Sequence, residues 1–114
     1  MKILVLDDNE TRLRLFRQKF IGHEILCVRT VKEAIKTLKK EGFDAVFLDH
    51  DLGGKENVAS GPETGYEVAY WLSKHPEKKP PQIVIHSFNT VGSRNMHALI
   101  PEATIAPGCW ISSS

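Results

Sequence analysis

Five short apolar runs punctuate the chain: KILVL (2–6), HEILCV (23–28), DAVFLD (44–49), QIVIHS (82–87) and ATIAP (103–107). Each is brief, rich in β-branched or large aliphatic residues and closed by polar residues, the pattern of strands buried on both faces. Between them the apolar period changes. Leu13, Phe16 and Phe20 recur at helical spacing among Arg12, Arg14, Arg17 and Lys19, which predicts an amphipathic helix capped by Asp8 or Asn9 and closed by Gly22. Thr30 with Glu33 three residues on forms a capping box for VKEAIKTLKK (31–40), which Gly42 ends. TGYEVAYWLSKH (64–75) sets Val68, Trp71 and Leu72 on one helical face, and VGSRNMHALI (91–100) predicts a fourth helix. The polar, glycine-bearing stretch 53–63 and the charged, proline-rich stretch 74–82 read as loops.

Strands alternating with helices predict an α/β three-layer sandwich around a five-stranded parallel sheet with right-handed crossovers. The strand order for such a sheet is 2-1-3-4-5, and ligands bind beyond the carboxyl ends of strands 1 and 3. At 114 residues this is one domain, 1–114, large enough for a core without disulfides or structural metal. A net charge of +1 gives no general attraction to duplex nucleic acid or membrane. Cys27 and Cys109 have no zinc or redox spacing and read as thiols of a reducing compartment. The first apolar run is too short for a signal peptide or a membrane span, so a cytoplasmic protein is expected.

Chemistry collects at the predicted strand ends. Asp7, Asp8 and Asp49 converge there with Asp51 close by. Carboxylates this close raise one another's pKa unless a cation joins them, and an all-oxygen site suits Mg2+ or Mn2+. Taking Asp49 and Ser87 as counterparts on strands 3 and 4, alternation sets His50 and His86 together on the other side of the sheet. There, two imidazoles titrating near neutrality would serve as general base and general acid for a phosphoester. Ser87, Asn89 and Arg94 form a candidate phosphate-binding group, the last with the fork that grips a phosphate bidentately. Arg12, near the acidic pair, reads as a surface residue, as do the glycines at 53, 54 and 61 as a flexible loop over the site. Tyr70 and Trp71 read as helix packing rather than a stacking platform, and His23, His75 and His97 as structural. Tyr66, near a helix start, is within possible reach of the site. No P-loop pattern is present.

These residues resemble the receiver domain of response regulators along nearly the whole chain. The acidic pair Asp7–Asp8 matches that family's metal-binding pair, Asp49 its phosphoacceptor and Ser87 its strand-4 hydroxyl position. The resemblance implies a receiver-like (flavodoxin-like) fold and a Mg2+ or Mn2+ held by Asp7, Asp8, Asp49 and Asp51, with Asp8 and Asp49 as direct ligands and Asp7 acting through water. Two departures stand out. Ala106 precedes Pro107 where receivers carry a lysine, and GCWISSS leaves a fifth helix short or missing and no attached output domain. LDHDLGG with TGYEVAYWL and IHSFNTVGSRNM is similar to a divergent receiver-like group of bacteria and their phages, the cyclic-phosphate processing receiver domains. That similarity implies a metal-dependent phosphoesterase hydrolysing a cyclic phosphate or phosphodiester of a nucleotide or RNA end, cyclic nucleotide messengers included. It would work in the cytoplasm, or the host cytoplasm if phage-encoded. His50, His86 and Asp49 would be its catalytic residues, with Asp49 open as nucleophile or as metal ligand. Two other readings stay open: a stand-alone phosphoacceptor in two-component signalling, and a sponge that binds a cyclic nucleotide without cleaving it.

Overall fold

A computed structural model describes residues 1–52, 63–87 and 89–106. Its elements follow the predicted alternation: β1 (Lys2–Leu6), α1 (Glu10–Lys19), β2 (Glu24–Val28), α2 (Val31–Lys40), β3 (Ala45–Leu48), α3 (Gly65–Lys74), β4 (Gln82–His86), α4 (Thr90–Leu99) and β5 (Thr104–Ala106). A short 3-10 turn, Pro76–Lys78, lies in the proline-rich connection. The strands form one parallel sheet in the order β2-β1-β3-β4-β5. This is the α/β receiver fold, with four α-helices among the described residues. Gly53, Gly54 and Gly61 and the chain beyond Ala106, with Pro107 and Cys109, lie outside them.

The helices begin where the local chemistry directs. The Asn9 side chain accepts from the Arg12 backbone N–H, and Thr30 accepts from Glu33 N–H while its hydroxyl meets the Glu33 carboxylate at 3.1 Å. Asn89 caps α4, its Oδ1 accepting from Gly92 N–H at 2.8 Å.

Strand alternation divides the core. Leu4, Leu6, Val46, Leu48, Ile83 and Ile85 pack with residues of α2, α3 and α4, among them Leu38, Val68, Leu72 and Met96. Ile3, Val5, Ala45 and Phe47 pack on the opposite face with Leu13 and Phe16 of α1. Phe16 meets Phe47 edge to face at 5.1 Å, a contact that adds to the burial of both rings.

The ladder continues one residue past two strand ends. Asp7 N–H donates to Val28 O at 3.1 Å, and Asp49 N–H donates to Leu6 O at 3.0 Å. Main-chain bonds thus fix both aspartates at the carboxyl edge of the sheet, where the crossovers on either side of β1 diverge.

Candidate metal and phosphate site

Asp7, Asp8 and Asp49 each offer a carboxylate oxygen, and these oxygens lie within 4.8 Å of one another. Asp7 and Asp49 are buried and Asp8 half-buried. Burial and the neighbouring charge of Asp7 push the Asp49 carboxyl up to about 8, with Asp51 and Asp8 adding and Arg12 opposing. A carboxyl so displaced lies among more negative charge than its local cation balances. The all-oxygen donor set and that surplus charge fit a hard divalent ion, Mg2+ or Mn2+.

The cation at the cluster is Arg12, partly buried rather than on the surface. Its Nε donates to Asp7 Oδ2 at 2.7 Å, and its Nη2 to Asp7 Oδ1 and Asp49 Oδ2, both at 3.1 Å. The hydrogen bond to Asp7 raises the Arg12 pKa further. Asn9 capping fixes the first turn of α1, and from there position 12 reaches back over the strand ends.

Asp51, expected among the metal ligands, is turned elsewhere. Its Oδ1 lies 2.7 Å from His50 Nδ1 and accepts from Asn89 Nδ2 at 3.0 Å. The carboxylate places the imidazole proton on Nδ1. Asn89 joins this network through Nδ2 and caps α4 through Oδ1.

The two histidines do not meet. Leu48 pairs with Ile85, and one step further in that register sets Asp49 opposite His86, not Ser87. A single-residue slip reverses every side chain. His86 therefore shares the α1 face with Asp7 and Asp49, its ring edge-on to Phe16 at 5.0 Å and its Nδ1 3.8 Å from Asp7 Oδ2. His50 lies on the other face, against Gly92 of α4. Both His86 nitrogens are buried, and neither has a hydrogen-bond partner within 3.5 Å among the described residues. Burial chiefly, with Arg12 adding and Asp7 opposing, holds its pKa down at about 4 and the ring neutral.

Two glycines shape the site. A Cβ on Gly65 would sit 1.9 Å from the Asp49 carbonyl oxygen, and one on Gly92 would sit 2.5 Å from the His50 ring. Gly65 N–H donates to His50 O at 2.9 Å, so the start of α3 rests directly on the end of β3. Ser87 is buried at the rim, its Oγ accepting from Asn89 N–H at 3.1 Å. Arg94 is exposed on α4, and Ala106, paired in register with His86, puts a methyl group where receivers carry their lysine. Trp71 stacks on His75 at 4.3 Å, and Tyr66 packs half-buried against the core.

A five-stranded receiver fold with three aspartates at its switch point defines the class. The model of the cyclic-phosphate processing receiver domain matches residues 2–102, and the chain belongs to that family. The sensory/regulatory protein RpfC of Xanthomonas campestris pv. campestris is 31% identical over 61 residues, which are 51% of this chain and 8% of that relative. The chain thus matches only a small part of it. Among solved structures, the phosphorylated cyanobacterial phytochrome response regulator RcpA superposes with a TM-score of 0.76 at 24% identity, covering 98% of this chain and 84% of that one. The response regulator Rcp1, in its Mn2+-bound form, gives 0.69 at 20% identity over 91% and 78% of the two chains. Among the described residues no helix is long and apolar enough to cross a membrane.

Proposed function

We propose that the chain is a small metal-dependent phosphoesterase acting on a cyclic phosphate or phosphodiester of a nucleotide or RNA end, a cyclic nucleotide messenger included. The observation that supports this is the convergence of Asp7, Asp8 and Asp49 in a member of the cyclic-phosphate processing family. These three would hold Mg2+ or Mn2+, which supplies Lewis-acid polarisation of a phosphoryl oxygen and lowers the pKa of water.

The remaining tasks fall to the chain's own groups. Ser87 has a hydroxyl proton to donate at the rim, and Arg94 offers a solvent-facing guanidinium to the phosphate. His86, neutral and with Nδ1 3.8 Å from Asp7 Oδ2, would take up a proton relayed through that carboxylate. His50 acts as a positioning residue, holding Asp51 and Asn89. Phosphorus NMR with 2′,3′-cyclic, 3′,5′-cyclic and cyclic-dinucleotide substrates, in Mg2+ or Mn2+ and again in EDTA, tests the reading. Metal-dependent conversion of one class supports it. Substrate bound tightly and recovered intact would leave the sponge in its place.

One observation favours a phosphoacceptor role as a second reading. Arg12 holds Asp49 Oδ2, while Oδ1 has no hydrogen-bond partner among the described residues. That leaves one carboxylate oxygen for attack on phosphorus. Acetyl phosphate adding one phosphoryl mass to the wild type and none to Asp49→Asn would establish it.

A further inference from the structure

Buried clusters of like charge need a counterion, and here one comes from α1. The end of β5 contributes the methyl group of Ala106, so among the described residues the cation at the acidic cluster does not come from that strand. The guanidinium that does reach it comes from the other side, on α1, and is itself three-quarters sequestered, with 22% of its side chain exposed. It satisfies both oxygens of Asp7 and one oxygen of Asp49. Two of the three carboxylates that would bind a divalent ion are thus already bonded to a cation of the chain.

We propose that Arg12 is the resident cation of this site, and that it sets the affinity for the divalent ion by occupying the oxygens the ion would use. This deepens the functional reading above and rests on its metal site. Two physical effects act in the same direction. The guanidinium donors and the ion compete for Asp7 Oδ1 and Oδ2 and Asp49 Oδ2, and a fixed positive charge a few ångströms away repels a second cation. Arg12 therefore holds the acidic cluster together when no metal is bound and gives up both Asp7 and Asp49 when metal is. Removing the charge by Arg12→Gln leaves the carboxylates to the ion alone. An opposite role is physically distinct: were Arg12 only a brace that orients Asp7, its loss would weaken metal binding.

The test is direct binding, read without turnover. Mn2+ affinity, measured by electron paramagnetic resonance of the free ion, is compared for wild type, Arg12→Gln, Arg12→Lys and Arg14→Gln. Arg14 is exposed on the same helix and reports the effect of net charge alone. We expect Arg12→Gln to bind Mn2+ at least about tenfold more tightly than wild type. Arg12→Lys, which keeps the charge without the planar fork, is expected to fall between them, and Arg14→Gln to match wild type.

A second readout needs no variant. The Arg12 Nε–Hε resonance, bonded to Asp7 in the metal-free protein, should move toward a solvent-like shift as Mg2+ is added. Unchanged or weaker Mn2+ binding by a folded Arg12→Gln, or an Nε–Hε signal insensitive to saturating Mg2+, would overturn the proposal while the metal site stands. Absence of Mn2+ binding in wild type and Arg12→Gln alike would overturn the metal site itself.

Discussion

At the scale of single residues, the site combines groups that fit poorly together without a ligand. Asp49 is buried beside Asp7, and His86 keeps two nitrogens in the interior with no hydrogen-bond partner among the described residues. An unpaired buried polar group costs about 1–3 kcal/mol. His86→Leu should therefore leave stability in urea unchanged or raise it by up to about 1 kcal/mol, while lowering turnover. A loss of more than that amount would show that the imidazole is tied down by a bond, and its place in proton handling would go with it. Arg12 illustrates what single-residue reading misses. As one of four basic residues on α1 it looks like part of a solvated face. Its position five residues past Asp7, one turn into a capped helix, was the available signal. The absence of a lysine before Pro107 was another, because the cluster then needs its cation from elsewhere.

At the scale of elements, the acidic edge exists because two helices approach the strand ends without a side chain between them. Gly65 lets α3 touch the Asp49 carbonyl, and Gly92 lets α4 lie on the His50 ring. Gly65→Ala pushes a methyl into backbone and Gly92→Ala pushes one into a fully buried ring, neither of which can yield cheaply. Each should lower stability by about 1–3 kcal/mol in urea denaturation. Gly65→Ala should also weaken Mn2+ binding by displacing Asp49. Two variants as stable as wild type would mean that these approaches are looser than described. The elements themselves were legible. The apolar runs, the Thr30–Glu33 box and the helical periods mark almost every boundary within two residues, because local chemistry decides them. The strand register was not legible. Whether Asp49 lies opposite His86 or Ser87 depends on where Gln82 begins to pair with Ala45, which only the packed sheet determines. That one step separates a histidine pair from two histidines on opposite faces. Asp51 shows the same limit: its turn toward His50 and Asn89 depends on where α4 docks.

At the scale of the molecule, stability without metal should carry the imprint of two displaced groups. Asp49 is about 8 in the folded protein against an ordinary 3.8, so between those values the folded state holds the extra proton and stability falls as pH rises. His86 is about 4 against an ordinary 6.5, so between those values the unfolded state holds the extra proton and stability rises with pH. Below about 6.5 the two slopes oppose, and from there to about 8 Asp49 acts alone. In EDTA the melting temperature should vary little from pH 4.5 to 6.5 and fall toward pH 8. Excess Mg2+ should remove most of that fall, because the ion neutralises the carboxylate. Identical profiles with and without Mg2+ would count against a metal at Asp49. The receiver fold and the acidic triad at its strand ends were both readable from the sequence. The distribution of roles around that triad emerges only from the packed structure.

Turnover of a cyclic phosphate at this acidic edge is tested by setting wild type beside Asp49→Asn in one phosphorus NMR experiment. Each protein is given the cyclic-phosphate panel in Mg2+, and the wild type is run again in EDTA. A new monoester resonance is expected for wild type in Mg2+, and none for wild type in EDTA or for Asp49→Asn in Mg2+. Equal conversion by the wild type and a folded Asp49→Asn, or conversion that persists in EDTA, would contradict it.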